Sequence, residues 1–402
     1  MNINEKIKNQ LSANQNLAVK FIANVAEMHS AKAFLVGGVV RDIILNKKIH
    51  DIDIAVESDP NLMFESLKNS EQFQIVSMSE FGVVKGVFDD VEIDIAMTRK
   101  EAYLSPGALP KVFLKTEIDV DLLRRDFSIN ALAVSLNSKT WGEVIDVSNS
   151  LEDLENGVIK ILHPKSFIDD PTRIFRAIKY ANRLNMKISK CTYENMYKSI
   201  KNVNLLSGKR IANEILSIFQ EDNFENILNH QIMIMIFEKF EFHLADRNTL
   251  QDLENIKNIC INDENMWWVF ISSHFNYLDR EKFSNRLDLK TKNHKAIMDF
   301  TTVERMDTNL QKEDLYKYLN MIPKNILEIS KKLLEEKSIL QIEIFQSILF
   351  DLETIIDGES ILELGVNEGP EIGRVLNSLT MKIVTNGAMS IQAQKEFVKS
   401  LI

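Results

Sequence analysis

The chain has 402 residues, 45% of them hydrophobic and 26% charged, with a formal net charge of −10. That length exceeds one ordinary core and predicts roughly two to four domains. No apolar run is long enough to cross a bilayer and the polar opening MNINEKIKNQ is no secretory signal, so a membrane-spanning or exported chain is excluded and a cytoplasmic location expected.

In chain order, residues 1 to about 30 read as helical. Phe34, Leu35 and Val36 then form a short apolar run that ends at Gly37-Gly38, where the missing Cβ lets backbone N–H groups approach a phosphate. A helix follows, with Val39, Val40, Ile43 and Ile44 at helical spacing around Arg41 and Asp42. Asp51-Ile52-Asp53-Ile54-Ala55-Val56 alternates with period two, so Asp51 and Asp53 share one strand face. Two neighbouring carboxylates repel unless a cation lies between them, and hard oxygen ligands of this kind suit Mg²⁺. A Gly-Gly turn or an Asp-X-Asp pair alone is ordinary. In this order and about fifteen residues apart they describe a phosphate site facing a metal site.

Further strands are expected at Phe73–Val76, Val83–Phe88 and Val91–Ala96, followed by an irregular loop, Tyr103–Pro110, rich in Pro and Gly. Arg124, Arg125 and Asp126 are expected to precede a helix carrying Ile129, Ala131 and Leu132. Beyond about residue 150 helical periodicity takes over, near 171–184, 191–202, 209–220, 223–237, 310–321, 324–336 and 338–356. The fold class is therefore α+β: a small mixed sheet with helices, then an all-helical remainder. Residues 160–215 carry 12 Lys and Arg against 4 Asp and Glu, a basic stretch in an acidic chain that suits a phosphate-facing surface. Cys191 and Cys260 lie outside any ligand spacing and are expected to be buried structural thiols, with neither disulfide nor zinc. The aromatic group Trp267, Trp268, Phe270, Phe275 and Tyr277 reads as core packing, and Lys382, Lys395 and Lys399 as solvated face residues.

These motifs resemble, in order, those of the class II nucleotidyltransferases of the DNA polymerase beta superfamily, which comprise tRNA CCA-adding enzymes and bacterial poly(A) polymerases. Leu35–Asp42 followed by Asp51-Ile52-Asp53 is similar to the family's first motif, Arg124–Leu132 to its second, and Asp169–Ala177 to the motif that reads the incoming base. Gly208–Ile215 and, more weakly, Leu364-Gly365-Val366 with Gly369-Pro370 extend the likeness. The resemblance implies a nucleotidyltransferase head over 1–137, a base-reading neck over 138–220, a helical body over 221–345 and a tRNA-binding tail over 346–402.

The resemblance also implies roles. Asp94, in Val91–Ala96, becomes the third metal ligand beside Asp51 and Asp53, the three together able to hold two Mg²⁺ ions, and no histidine base is needed; His50 reads as a strand-start residue. Gly37, Gly38 and Arg41 of the first motif, and Arg125, Asp126 and Asn130 of the second, are assigned to the nucleotide's ribose and triphosphate. Asp170, Arg173 and Arg176 fall at i, i+3 and i+6 of a helix with Pro171 in its first turn. A carboxylate accepting from an exocyclic amino group beside an Arg donating to a ring nitrogen or carbonyl selects cytosine and adenine over guanine and uracil. Asp169 stands where many relatives carry Glu, and Ser128 where Thr is frequent. The expected activity is template-independent addition or repair of the 3′ CCA of tRNA from CTP and ATP. CC-only addition, A-only addition, poly(A) synthesis and an inactive RNA-binding protein are the alternatives.

Overall fold

The computed structural model describes every residue except 50, 58–59, 80–81 and 246–252, and the backbone alone of 60–62; His50 thus lies outside the described residues. Two compact units are present, Met1–Lys239 and Phe240–Ile402.

The first unit opens with α1 (Asn4–Gln10) and α2 (Ala13–Met28). Ser12 fixes the start of α2 reciprocally: its Oγ accepts from Gln15 N at 3.2 Å, and its own N donates to Gln15 Oε1 at 2.9 Å. There follow β1 (Lys32–Val36), α3 (Gly38–Ile44), β2 (Ile52–Glu57), α4 (Pro60–Lys68), β3 (Phe73–Met78), β4 (Val83–Phe88) and β5 (Val91–Met97). A separate hairpin, β6 (Arg99–Ala102) with β7 (Lys111–Leu114), leads to α5 (Ile118–Leu123), β8 (Leu132–Ser135) and β9 (Val144–Asp146). The main sheet has seven strands in the order β3-β4-β5-β2-β1-β8-β9. Period-two alternation explains its faces: Ile93, Ile95 and Met97 of β5 are buried while Glu92 and Asp94 point the other way. β2 and β5 are parallel, with α4, β3 and β4 forming the crossover between them. Phe34, Val36, Ala55, Ile118, Leu122 and Ala133 form one apolar cluster beneath the strands that carry the site.

The helix expected after Asp126 is not there. Ser128–Asn130 is a single 3-10 turn and Leu132 opens β8, whose four residues are all buried. Ala131, Leu132, Ala133 and Val134 form a short apolar run, all fully buried, and such runs fit a buried strand as well as a helix.

The unit continues through α6 (Ser150–Glu155), β10 (Val158–Ile159), α7 (Ser166–Asp169), α8 (Thr172–Leu184), β11 (Lys187–Ile188), α9 (Lys190–Ser199), α10 (Gly208–Phe219), α11 (Phe224–Leu228) and α12 (Gln231–Lys239). The second unit is helical, from Leu253–Asn262 and Glu264–Ser273 to Pro370–Asn386 and Ile391–Lys399. One of its cores gathers Val303, Leu315, Leu319, Ile342 and Phe345, and another Ile361, Leu379, Ile383 and Val398. Trp267, Trp268, Phe270 and Phe275 are buried, as core packing requires, but Tyr277, expected among them, is exposed with Arg305 over its ring. Cys260 is buried, and burial pushes its thiol up to about 12, with Asp263 adding to the effect. Cys191, expected inside, is exposed at the start of α9. No helix among the described residues is long and apolar enough to cross a membrane.

Candidate active site

β1 stops at Val36 because Gly37 turns the chain with φ +73°, a left-handed conformation that L side chains rarely adopt. A Cβ at Gly37 would stand 2.9 Å from Arg125 Nη1 and 3.7 Å from Asp53 Oδ2. The backbone of the Gly-Gly turn therefore meets both the second motif and the acidic pair.

Asp53 on β2 and Asp94 on β5 are direct partners in the parallel register, so their side chains emerge side by side on one face. Asp51 sits exposed just before β2 begins at Ile52 rather than within the strand. Burial first, then the negative charges of Asp94 and Asp51, push the Asp53 carboxyl up to about 6 against the opposing pull of Arg125 and Lys85. Lys85 on β4 is the antiparallel partner of Asp94 and donates its Nζ to Asp94 Oδ2. As the side chains stand, no three His, Cys, Asp or Glu among the described residues converge on a single metal position. The donor chemistry nevertheless fits a hard divalent cation: three carboxylates, one of them with its pKa raised by burial and by its acidic neighbours, have charge to be neutralised.

Arg41, Asp126 and Asn130 form a buried chain. Arg41 Nη1 donates to Asn130 Oδ1 at 2.7 Å while its Nε and Nη2 grip Asp42 at 2.9 and 3.0 Å. Asn130 Nδ2 and Phe127 N donate to Asp126 Oδ1 at 3.1 and 2.9 Å, and Arg176 Nη2 on α8 stands 2.6 Å from Asp126 Oδ2. Burial alone would raise the Asp126 carboxyl; Arg176 and these donors hold it below the usual carboxylate range. Arg125 Nη2 is anchored on buried Asp121 at 3.1 Å, and Arg124 reaches the same carboxylate through Nε and Nη2 at 3.0 and 2.7 Å. The Nε atoms of Arg125 and Arg176 are buried with no hydrogen-bond partner, so each has a donor to offer a ligand.

Asp170 does not lie within α8 as the spacing suggested; it is the extended residue after α7, and the helix starts at Thr172. Thr172 N and Oγ1 donate to Asp170 Oδ1 at 3.0 and 2.6 Å, and Arg210 Nη2 donates to the same oxygen at 2.6 Å. None of these bonds uses Oδ2. Arg173, nearly fully buried, spends Nη1 on Ser166 Oγ at 2.7 Å and Nη2 on the Arg124 carbonyl at 2.9 Å. Two of its five N–H groups are thus committed and the guanidinium is fixed in orientation. Arg210 also donates through Nη1 to the Gly107 carbonyl at 2.8 Å, and Gly107 N donates to the carbonyls of Ile168 and Asp169, so the loop 103–110 is docked onto the base-reading motif.

These groups line one cavity of about 670 Å³: Gly37, Gly38, Arg41, Asp51, Asp53, Arg125, Asp126, Asn130, Asp170, Arg173 and Arg176 all contribute to its wall. Asp94 lies beside Asp53 on the next strand, outside that lining. The sequence reading missed Glu101, Tyr103, Tyr180, Arg183 and Arg210 as wall residues. Arg210 lies within Gly208–Ile215, and Tyr180 and Arg183 follow Arg176 along α8 at helical spacing, which is the signal the sequence offers. The Tyr180 ring lies within about 6 Å of Arg41, Arg176, Lys179 and Arg183, a concentration of positive charge to which the basic stretch 160–215 contributes the last three.

Residues 33–160 match the poly A polymerase head domain. Over 392 residues the chain is 30% identical to an A-adding tRNA nucleotidyltransferase of Geobacter sulfurreducens, covering 89% of this chain but 43% of that protein; this chain therefore spans less than half of that relative. It is 27% identical to a CCA-adding enzyme of Pediococcus pentosaceus over 368 residues, 88% of this chain and 90% of that one. The structure of a CCA-adding enzyme in an apo form superimposes with a TM-score of 0.76 at 23% identity, covering 100% of this chain and 99% of that one, which establishes a shared fold.

Proposed function

We propose that the chain, which matches the poly A polymerase head domain over residues 33–160 and is similar along most of its length to CCA-adding enzymes, is a nucleotidyltransferase of the class II CCA-adding and poly(A) polymerase family that builds or repairs the 3′ CCA of tRNA from CTP and ATP, without a nucleic-acid template and with release of pyrophosphate. The observation that carries the reading is the pairing of Asp94 with Asp53, which lines the same basic cavity as Asp170 and Arg173.

Nucleotidyltransferases of this family use a divalent metal. We assign Mg²⁺ to Asp51, Asp53 and Asp94, where it would lower the pKa of the attacking 3′-hydroxyl and neutralise the triphosphate. The chain's own residues do the rest. Arg125, anchored on Asp121 and facing Gly37, offers its unpartnered Nε to the triphosphate. The Arg41–Asn130–Asp126–Arg176 chain fixes polar groups where the ribose is expected. Asp170, pinned through Oδ1, keeps Oδ2 to accept from the amino group of cytosine or adenine, and Arg173 donates its remaining N–H groups beside it. In guanine and uracil the position of that amino group is held by a carbonyl, which faces the carboxylate without a proton to share.

By the same reading, residues 1–137 are the catalytic head, 138–220 the neck, 221–345 the body and 346–402 a tRNA-binding tail. Addition of a single terminal A is the second reading, favoured by the 30% identity to the Geobacter A-adding enzyme. The deciding experiment supplies labelled CTP and ATP with Mg²⁺ to tRNA transcripts lacking three, two or one of the 3′-terminal nucleotides, beside an unstructured RNA. Stepwise completion of all three supports CCA addition. Extension of only the transcript lacking the final A supports the second reading, and long A tails on the unstructured RNA would overturn both.

A further inference from the structure

Lys85, Asp94 and Asp53 occupy consecutive strands β4, β5 and β2 as direct cross-strand partners, so one cation and two anions stand in a row on the same face of the sheet. Partner carboxylates repel at such spacing, and a sheet that must fold before metal arrives needs something to offset that repulsion. The Lys85 ammonium meets this need: it donates to Asp94 Oδ2, and Asp53 and Asp51 also act on it. Its side chain is 59% exposed, on a flexible four-carbon stem that can carry the charge away without disturbing the core.

We propose that Lys85 is the resident counter-cation of the Asp51–Asp53–Asp94 carboxylates, seated on Asp94 until a divalent ion displaces it, and that this competition keeps metal affinity low in the absence of nucleotide. The inference rests on the reading of those three carboxylates as the metal site. The Asp94 oxygen that accepts from Nζ is one that a hard cation would take, so the two occupants exclude each other. On displacement the ammonium turns toward solvent, to which its side chain is already open. A nucleotide that brings its own phosphate ligands for the ion tips the exchange, which couples metal uptake to substrate arrival.

The test is titration of the full chain with Mn²⁺ alone, followed by the electron paramagnetic resonance signal of the free ion, with no nucleotide present. Lys85→Met and Lys85→Gln are expected to bind Mn²⁺ about fivefold more tightly than wild type, the scale of one partly exposed ion pair. Lys85→Arg, which keeps the charge, is expected to bind no more tightly than wild type. In EDTA the two uncharged variants should melt below wild type and recover more on adding Mn²⁺. A general loss of folding would weaken binding, the opposite direction. Equal affinities in wild type, Lys85→Met and Lys85→Gln, with binding lost in Asp53→Asn, overturn the role of Lys85 and leave the metal site standing. Binding undiminished in Asp53→Asn overturns the metal site and this inference with it.

Discussion

Arg210 Nη2 lies 2.6 Å from Asp170 Oδ1, and the other nitrogen of the same guanidinium holds the Gly107 carbonyl at 2.8 Å. One side chain thus positions the base-reading carboxylate and docks the loop 103–110 to it. Replacing it by Gln shortens the reach and removes the charge, so Asp170 is left with Thr172 as its anchor. Arg210→Gln is expected to lower discrimination of CTP and ATP against GTP and UTP by about tenfold, roughly half of what one good base contact provides. Competition assays with all four nucleotides read this directly; unchanged selectivity would remove Arg210 from base reading.

Arg173 has both a structural and a reading role, and the two separate experimentally. Arg173→Ala leaves Ser166 Oγ and the Arg124 carbonyl without their donor in a buried setting, at a cost of about 2 kcal/mol. Asp170→Ala should cost less, because Asp170 and its partner Arg210 are both partly exposed. Both variants should accept GTP and UTP more readily, while only Arg173→Ala shows a large drop in denaturation midpoint. Equal midpoints would contradict the internal bonding described for Arg173.

The Asp126–Arg176 ion pair gives a pH signature. The folded Asp126 carboxyl is held below its ordinary range, so its contribution to stability is present above the unfolded pKa and is lost as pH falls through the folded value. Asp126→Asn removes the charge partner of Arg176, whose side chain is 38% exposed, and should cost about 1.5 kcal/mol at pH 7. The gap between wild type and variant should narrow steadily below about pH 4, where the unfolded chain begins to protonate Asp126. Denaturation at pH 7, 5 and 3 checks the trend, and a gap that widens toward acid would refute the assignment.

Gly37→Ala tests the turn. Its φ of +73° makes any Cβ unfavourable by about 1–2 kcal/mol, and the new methyl would press on Arg125 Nη1, which is the movable end of a side chain. A modest loss of stability with a larger rise in nucleotide KM is expected. Loss of stability with unchanged KM would mean that Arg125 does not face the nucleotide.

What the sequence revealed depended on how local the cause was. The alternation in β2, β4 and β5 and the helical periodicity beyond residue 150 were readable because each pattern lies within one element. That Asp94 belongs beside Asp51 and Asp53 came through the family resemblance, since nothing in either strand names its neighbour; its parallel register against Asp53 came only with the structure. The stretch after Asp126 misled because a four-residue buried strand has no alternation to show. Asp170 is held by Arg210 and Arg173 by the Arg124 carbonyl, separations along the chain of 40 and 49 residues that periodicity does not report. Lys85 was invisible for the same reason: its importance is its register against Asp94.

The central claim is that Asp53 and its neighbours hold the metal for nucleotidyl transfer, and single-turnover transfer from labelled ATP to tRNA lacking only its terminal A tests it most directly. This step is common to CCA addition and to A addition. With Mg²⁺ saturating and the fold verified by its far-ultraviolet circular dichroism, Asp53→Asn is expected to lose about a thousandfold or more of the wild-type rate. A variant that transfers at the wild-type rate would contradict the account.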